Sequence, residues 1–328
     1  MRNHSTDRLA FPSLRNGRPM KEVLIDSPPA LDSDQERIAD LHSLFNVLNV
    51  VTSSLAIVRL AAGEQAAKID AARAEVEGIV AALRENGSLP DLPDRLRALE
   101  KRIVGEVRSL LPGMDEGEDK RDVAESLENL ESIFSVLSVR VRELEIRAQD
   151  PDVWIETSAA EFRNLFEEVF YAIEKNSRGR YRIFFNLARK RPDDYYIDLK
   201  VESEREGGDL RIPLRLVDVL RDLTANARKY TEPGGKVALA VFEDEEAIRC
   251  VIEDSGAGIP EDELDRVVEF GYRASNVAER PTMGGGFGLT KAAWLVCRWG
   301  GSLAIASEEN RGTTIRIAVP VAVESSVG

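Results

Sequence analysis

Asp222, Asn226 and Lys229 in the stretch DLTANARKYT fall at i, i+4 and i+7. A helix there would gather a carboxylate, an amide and an ammonium on one stripe, beside the apolar row Leu216, Leu220, Leu223 and Ala227. That set suits a metal-bound polyphosphate, with oxygens for Mg²⁺ and a cation for phosphate. A solvated polar helix face would carry the same pattern.

Three further stretches follow. In EDSGAGIP, Asp254 ends an apolar run, and Gly256 and Gly258 let the backbone turn tightly against a planar ligand. A carboxylate there can accept a hydrogen bond from the exocyclic amine of adenine and would repel the carbonyl of guanine. A plain turn would also explain the glycines. In MGGGFGLTKAAWLV, Gly284, Gly286 and Gly288 precede an apolar helix, as in loops whose amides meet phosphate oxygens at a helix N-terminus; alone, such a cluster is weak. In NRGTTIRI, Gly312 and Thr313 enter a last strand and taken alone read as a hairpin turn.

A fifth place is His42, in DLHSLFNVLN, followed one turn later by Asn46. The only other histidine, His4, lies in a polar leader. Apolar residues from Leu41 recur at steps of three and four through Leu44, Leu48, Val51, Leu55 and Val58 to Leu83, broken at Gln65. This is a heptad seam. With Leu41 at position a, His42 falls at b, outside the seam and facing solvent.

The elements that must carry these residues divide into an all-α first half and an α+β second half. Residues 1–33, rich in Pro, Ser, Asn and Asp, read as a disordered or loosely docked leader. Residues 34–192 read as helical: a long helix to about 85, stopped by NGSLPDLP; a shorter seam from Leu92 to Leu110; a third from Val123 to Ala148; and a less regular stretch, 158–188, anchored by Phe162, Phe166, Phe170 and Phe184. Narrow two-residue seams suit a bundle shared between two chains. Residues 193–324 alternate strands (YYIDLKVE, KVALAVF, IRCVIED, SLAIAS, TTIRIAVP) with the helices IPLRLVDVLRDLTANARKY and GLTKAAWLV, an α+β sandwich with a mixed sheet.

The 328 residues suffice for two domains with real cores. A net charge of −14 leaves no basic excess for a nucleic acid backbone. No uninterrupted apolar run approaches the ~18–20 residues that cross a bilayer, the leader lacks the apolar core of a secretory signal, and the two cysteines are too few and isolated for a disulfide framework. The expectation is a cytoplasmic protein without membrane insertion.

In this order and spacing, the second half resembles the ATP-binding domain of sensor histidine kinases, in the superfamily shared with gyrase, the Hsp90 chaperones and MutL. The matching segments are the box around Asn226, DSGAG (254–258), the stretch around Phe270 and Arg273, GGGFGL (284–289) and GTT (312–314), over roughly residues 194–321. The resemblance implies ATP and Mg²⁺ as cofactors. Asn226 would hold the metal, Lys229 and Arg273 would meet phosphates, and Asp254 would take adenine, with Tyr230, Ile259 and Leu289 as apolar walls and 273–288 as a mobile lid. Asp222 stands where the family often has Asn and hydrolytic relatives have Glu, which would make it a second metal ligand or a base for slow hydrolysis.

ERIADLHSLFNVLN then resembles the phosphoacceptor box. The resemblance implies that His42 takes the γ-phosphoryl group and that Asn46 positions the water that dephosphorylates a partner response regulator. It also implies a homodimer through the helices of 34–85 and 119–149. Two positions depart from the pattern: Ser43 replaces the usual acid after the histidine, and Val47 the usual proline. Loss of a general base slows such a step by about 10²–10⁴-fold. Two other functions fit the same ATP fold: an anti-sigma-type serine/threonine kinase, against which the long heptad stalk speaks, and a nucleotide-binding scaffold or phosphotransfer adaptor, which Ser43 keeps open.

Overall fold

The computed structural model describes residues 20–63, 66–87, 91–150, 152–176, 181–186, 188, 191–205, 207–279 and 285–321. The chain forms two compact units: a helical one, Asp32–Val153, and an α/β one made of the segments on either side of it.

In the helical unit, α1 (Ser33–Ala61), α2 (Ala66–Asn86), α3 (Leu92–Leu110) and α4 (Glu118–Gln149) follow one another. A capping box fixes where α1 starts. The Asp32 carboxylate accepts the N–H groups of Asp34 and Gln35, both at 2.9 Å, and the Asp32 N–H donates to the Gln35 side chain at 3.1 Å. The long helix expected to run unbroken to about 85 ends instead at Ala61, and Gly63, at φ +53°, starts the turn into α2. The heptad residues of all four helices then meet in one core: Leu44, Leu48, Val51 and Leu55 of α1 with Ile69, Val76 and Ile79 of α2, Leu99 and Ile103 of α3, and Leu130, Phe134 and Leu137 of α4. One chain therefore supplies all four helices, where the narrow seams had suggested a bundle shared between two. The heptad pattern reports a helix-to-helix seam and carries no label for which chain the partner comes from. Among the described residues α1 is the helix long and apolar enough, by length and composition, to cross a membrane; within this unit its apolar residues line the core.

The α/β unit is built on a seven-stranded mixed sheet in the order β1-β8-β9-β7-β6-β4-β3. Its strands are β1 (Lys21–Ile25), β3 (Ile183–Phe184), β4 (Tyr195–Ser203), β6 (Lys236–Glu243), β7 (Ala247–Asp254), β8 (Ser302–Glu308) and β9 (Gly312–Pro320). β4 runs parallel to β3 and β6, and the other neighbours are antiparallel. Alternate residues of β4, β6 and β7 are buried, which puts one face against α5 (Ala159–Asn176), α6 (Leu214–Tyr230) and α7 (Gly288–Arg298). A separate pair, β2 (Trp154–Ser158) and β5 (Asp209–Pro213), runs antiparallel.

An all-α part followed by an α+β sandwich is the architecture expected from the sequence, and three boundaries move. Residues 21–25, expected in a loose leader, form the edge strand β1. The helical unit ends at Val153 rather than 192, because Phe162, Phe166 and Phe170 of α5 are buried in the core of the sheet unit. Phe184, expected on a helix, lies in β3, and residues 209–213 form β5 ahead of α6.

Candidate functional site

Strand register sets one wall of the site. Asp254, the last residue of β7, pairs across the sheet with Thr313 of β9, and Thr313 pairs with Ser307 of β8. The three side chains line up in one row: the Ser307 and Thr313 hydroxyls lie 3.0 Å apart, and Ser307 Oγ accepts the N–H of Ile259 at 2.9 Å. The Asp254 carboxylate accepts the Gly256 N–H at 2.8 Å, holding the first glycine turn beneath it. At Gly258, φ is +66° and a Cβ would stand 2.0 Å from the carbonyl oxygen of Glu308, so only glycine fits without movement.

Helix α6 forms the opposite wall. Leu223, Asn226, Ala227 and Tyr230 face a cleft partly open to solvent. Asp254, Gly258, Ile259, Arg273, Leu289 and Thr313 close it, together with Tyr272, Val277 and Ile315. The interior is mostly apolar with a few convergent polar groups, the arrangement that holds a flat heteroaromatic ring and orients it by its edge. Asn276 donates its side-chain N–H to the carbonyl of Gly258 at 3.0 Å, tying the loop after β7 to the glycine turn, and Arg273 donates to the carbonyl of Val277 at 2.9 Å.

Lys229 is half-buried, its Nζ 5.0 Å from the centre of the Tyr230 ring. Burial, and then the charge of Arg273, pull its pKa down to about 8. Two cations that each make the other costlier are a standing demand for an anion. The glycine loop reaches the same place. Gly288 opens α7, whose N-terminal N–H groups have no side-chain cap, and a Cβ on it would come within 2.7 Å of the Asn226 amide nitrogen.

Of the residues singled out in the sequence, Asn226, Tyr230, Asp254, Gly258, Ile259, Arg273, Leu289 and Thr313 line one cleft. Gly256 supports it from below, and Gly286, at φ +77°, backs onto the carbonyl of Tyr272. Gly284 and part of the expected lid lie outside the described residues.

Asp222 is placed differently from its expected role as metal ligand or base. It does not line the cleft, and its carboxylate meets the ammonium of Lys291 at 3.0 Å. Lys291 is fully buried and also paired with Asp218. Burial alone would depress its pKa, but the two carboxylates together outweigh it and hold the pKa above the ordinary lysine value. One oxygen of the Asp222 carboxylate is thus engaged by Lys291 and turned to α7. Among the described residues no group of three or more His, Cys, Asp or Glu could hold a metal, and Asn226, which lines the cleft, offers an amide oxygen of the kind that suits Mg²⁺.

His42 also departs from expectation. Instead of facing solvent at position b it is 9% exposed, and Leu41, Ser43, Leu44 and Phe45 beside it are buried as well. Five consecutive residues exceed one helical turn, so α1 is enclosed on every side here, and a two-sided seam no longer describes it. The Asn46 side-chain amide lies 3.0 Å from His42 Nε2, so the two side chains form one hydrogen-bonded pair on α1.

Sequence reasoning missed Ser307, Asn276 and Lys291. The first two stand in ordinary strand and loop context, and Lys291 in LTKAAW looks like an exposed helix lysine.

Residues 211–323 match the family described as histidine kinase-, DNA gyrase B- and HSP90-like ATPase. The chain is 31% identical over 106 residues to the aerobic respiration control sensor protein ArcB of Escherichia coli strain K12, covering 32% of this chain and 14% of that protein. It is 31% identical over 136 residues to the sensor protein SrrB of Staphylococcus aureus strain NCTC 8325 / PS 47, covering 42% and 21%. The chain thus spans less than a quarter of the length of these relatives. Among solved structures it is similar to a mycobacterial sensor histidine kinase, MprB, at 22% identity over 51% of this chain and 97% of that one, with a TM-score of 0.37.

Proposed function

We propose that the chain is a cytoplasmic histidine kinase that binds Mg²⁺·ATP in the α/β unit, phosphorylates His42 and passes the phosphoryl group to an aspartate on a response-regulator receiver domain. The observation that carries this reading is the convergence of Asn226, Asp254, Arg273 and Thr313 on one apolar-walled cleft, inside a segment that matches an ATPase family. Asp254 takes the exocyclic amine of adenine, and Ile259, Tyr230 and Leu289 hold the ring. Lys229 and Arg273 face the phosphates, and Asn226 holds Mg²⁺, which neutralises phosphate charge when bound.

In the transfer, Nε2 of a neutral His42 forms a bond to the γ-phosphorus while the bond to the β,γ-bridging oxygen breaks. ADP leaves, and the proton on Nδ1 goes to water. The Asn46 side-chain amide already engages the attacking nitrogen. Turnover therefore involves a second conformation of the helical unit in which the ring emerges. Asn46 then serves the reverse reaction, orienting the water that dephosphorylates the regulator. A homodimer fits the outer face of α4, where Val136, Val139 and Ile146 stand exposed at steps of three and seven.

One observation favours a second reading. A 9%-exposed His42 suits a nucleotide-binding scaffold that never transfers phosphate. Incubation with γ-labelled ATP and magnesium separates them. Acid-labile, alkali-stable label on the chain, absent in His42→Ala, supports the kinase. Nucleotide binding without label supports the scaffold, and acid-stable label on a partner protein supports a serine/threonine kinase.

A further inference from the structure

We propose that Lys291 is a positioning residue: by clamping Asp218 and Asp222 it sets the distance between Asn226 and the first turn of α7, and so the phosphate end of the cleft. The proposal rests on the ATP reading above and concerns residues that reading leaves unused.

Lys291 is the fourth residue of α7, with no exposed surface. Its ammonium pairs with Asp218 and, at 3.0 Å, with Asp222, which occupy successive turns of α6. A methionine or leucine at this place would fill similar space without taking a charge out of water, so the cluster adds little net stability. What it adds is a fixed geometry. An apolar contact between two helices slides at small cost, whereas an ammonium held by two carboxylates defines both rotation and register.

The two helices it locks are those that build one end of the site. Asn226 lies one turn beyond Asp222 on α6. Gly288 lies three residues before Lys291 on α7, so close to Asn226 that a single Cβ would collide with its amide. Between them stand the uncapped N–H groups of α7. The other end of the cleft is carried by strands instead: Asp254 on β7 and Thr313 on β9, tied by sheet register. A shift of α7 against α6 therefore displaces the phosphate contacts directly, and reaches the base only through the ring faces at Tyr230 and Leu289, while Asp254 and Thr313 on the sheet keep its edge in place. A merely structural lysine would weaken both ends alike.

The test is calorimetric binding of ATP with magnesium, and of adenosine, to the full chain. Three forms are compared: wild type, Lys291→Met, and the neutral triad Lys291→Met/Asp218→Asn/Asp222→Asn, which removes all three charges of the cluster together. Asp222→Asn is a milder fourth, since Lys291 and Asp218 remain a matched pair. The expected result is a loss of ATP affinity of about ten-fold or more in the folded Lys291 variants, the size of one hydrogen-bonded charge, with a smaller loss in Asp222→Asn. Adenosine affinity stays within about two-fold in all of them. Equal losses for both ligands, or no loss for ATP in Asp222→Asn and the neutral triad, overturn the proposal. A wild type that binds neither ligand overturns the ATP reading itself, a distinct outcome.

Discussion

Asn46 lies one turn after His42 on α1, and its side-chain amide sits 3.0 Å from Nε2 of that histidine. The ring nitrogen that would meet an electrophile is therefore already engaged. This predicts a slow, gated reactivity. In a His4→Gln background, diethylpyrocarbonate should modify His42 slower than free imidazole, and Asn46→Ala should speed modification by roughly ten-fold, the worth of one buried hydrogen bond. Equal rates in the two proteins would show that the hydrogen bond does not guard the ring.

Lys229 gives the site a pH signature. Its pKa in the folded protein is lowered to about 8, by burial first and by Arg273 second. A polyphosphate beside it favours the charged form, so binding raises that pKa and takes up a proton wherever the free protein has already lost it. ATP affinity should be flat below pH 8 and fall above it, up to about ten-fold per pH unit. Lys229→Met should bind more weakly and lose this dependence. Titrations from pH 6.5 to 9.5 decide the matter, and a wild-type profile flat across 8 would count against phosphate contact.

Gly288→Ala tests the approach of the glycine loop to the metal-binding amide. The new methyl would sit 2.7 Å from the Asn226 side-chain nitrogen, so the amide must turn away. Magnesium-dependent ATP binding should drop at least about ten-fold while the melting temperature moves little, because Asn226 is near the cleft surface and can yield. Gly258→Ala should do the opposite: a left-handed backbone and a blocked carbonyl predict about 1–3 kcal/mol of lost stability by denaturant unfolding.

The exposed row on α4 predicts assembly. Val136→Lys with Val139→Lys should convert a dimer to a monomer in sedimentation analysis without changing unfolding of the bundle, whose core lies on the other face of the helix. Leu48→Ala, inside that core, should instead cost about 2–5 kcal/mol.

Much of this was written locally in the chain. The spacing of Asp222, Asn226 and Lys229 along one helix, and glycines at positions needing positive φ, are short-range signals that hold whatever surrounds them. The heptads identified the bundle helices for the same reason. Other features depend on partners far away in sequence. No window around Lys291 shows that two aspartates about seventy residues earlier will receive its ammonium. The burial of His42 followed from packing α2 and α4 onto α1, which a heptad count along α1 cannot register. The strand at 21–25 pairs with β8, nearly three hundred residues away, and looks like leader because its five residues, two charged and then three apolar, show no alternation.

The edge strand β1 has a further consequence. The polypeptide belongs to the sheet unit at 21–25, departs at Leu31 to build the four helices, and rejoins at Trp154. The helical unit that carries His42 is thus an insertion, joined to the sheet unit at both of its ends. A proline in residues 26–31, or a shortening of that stretch, alters one of these two attachments and leaves the other, at Val153 and Trp154, as it is.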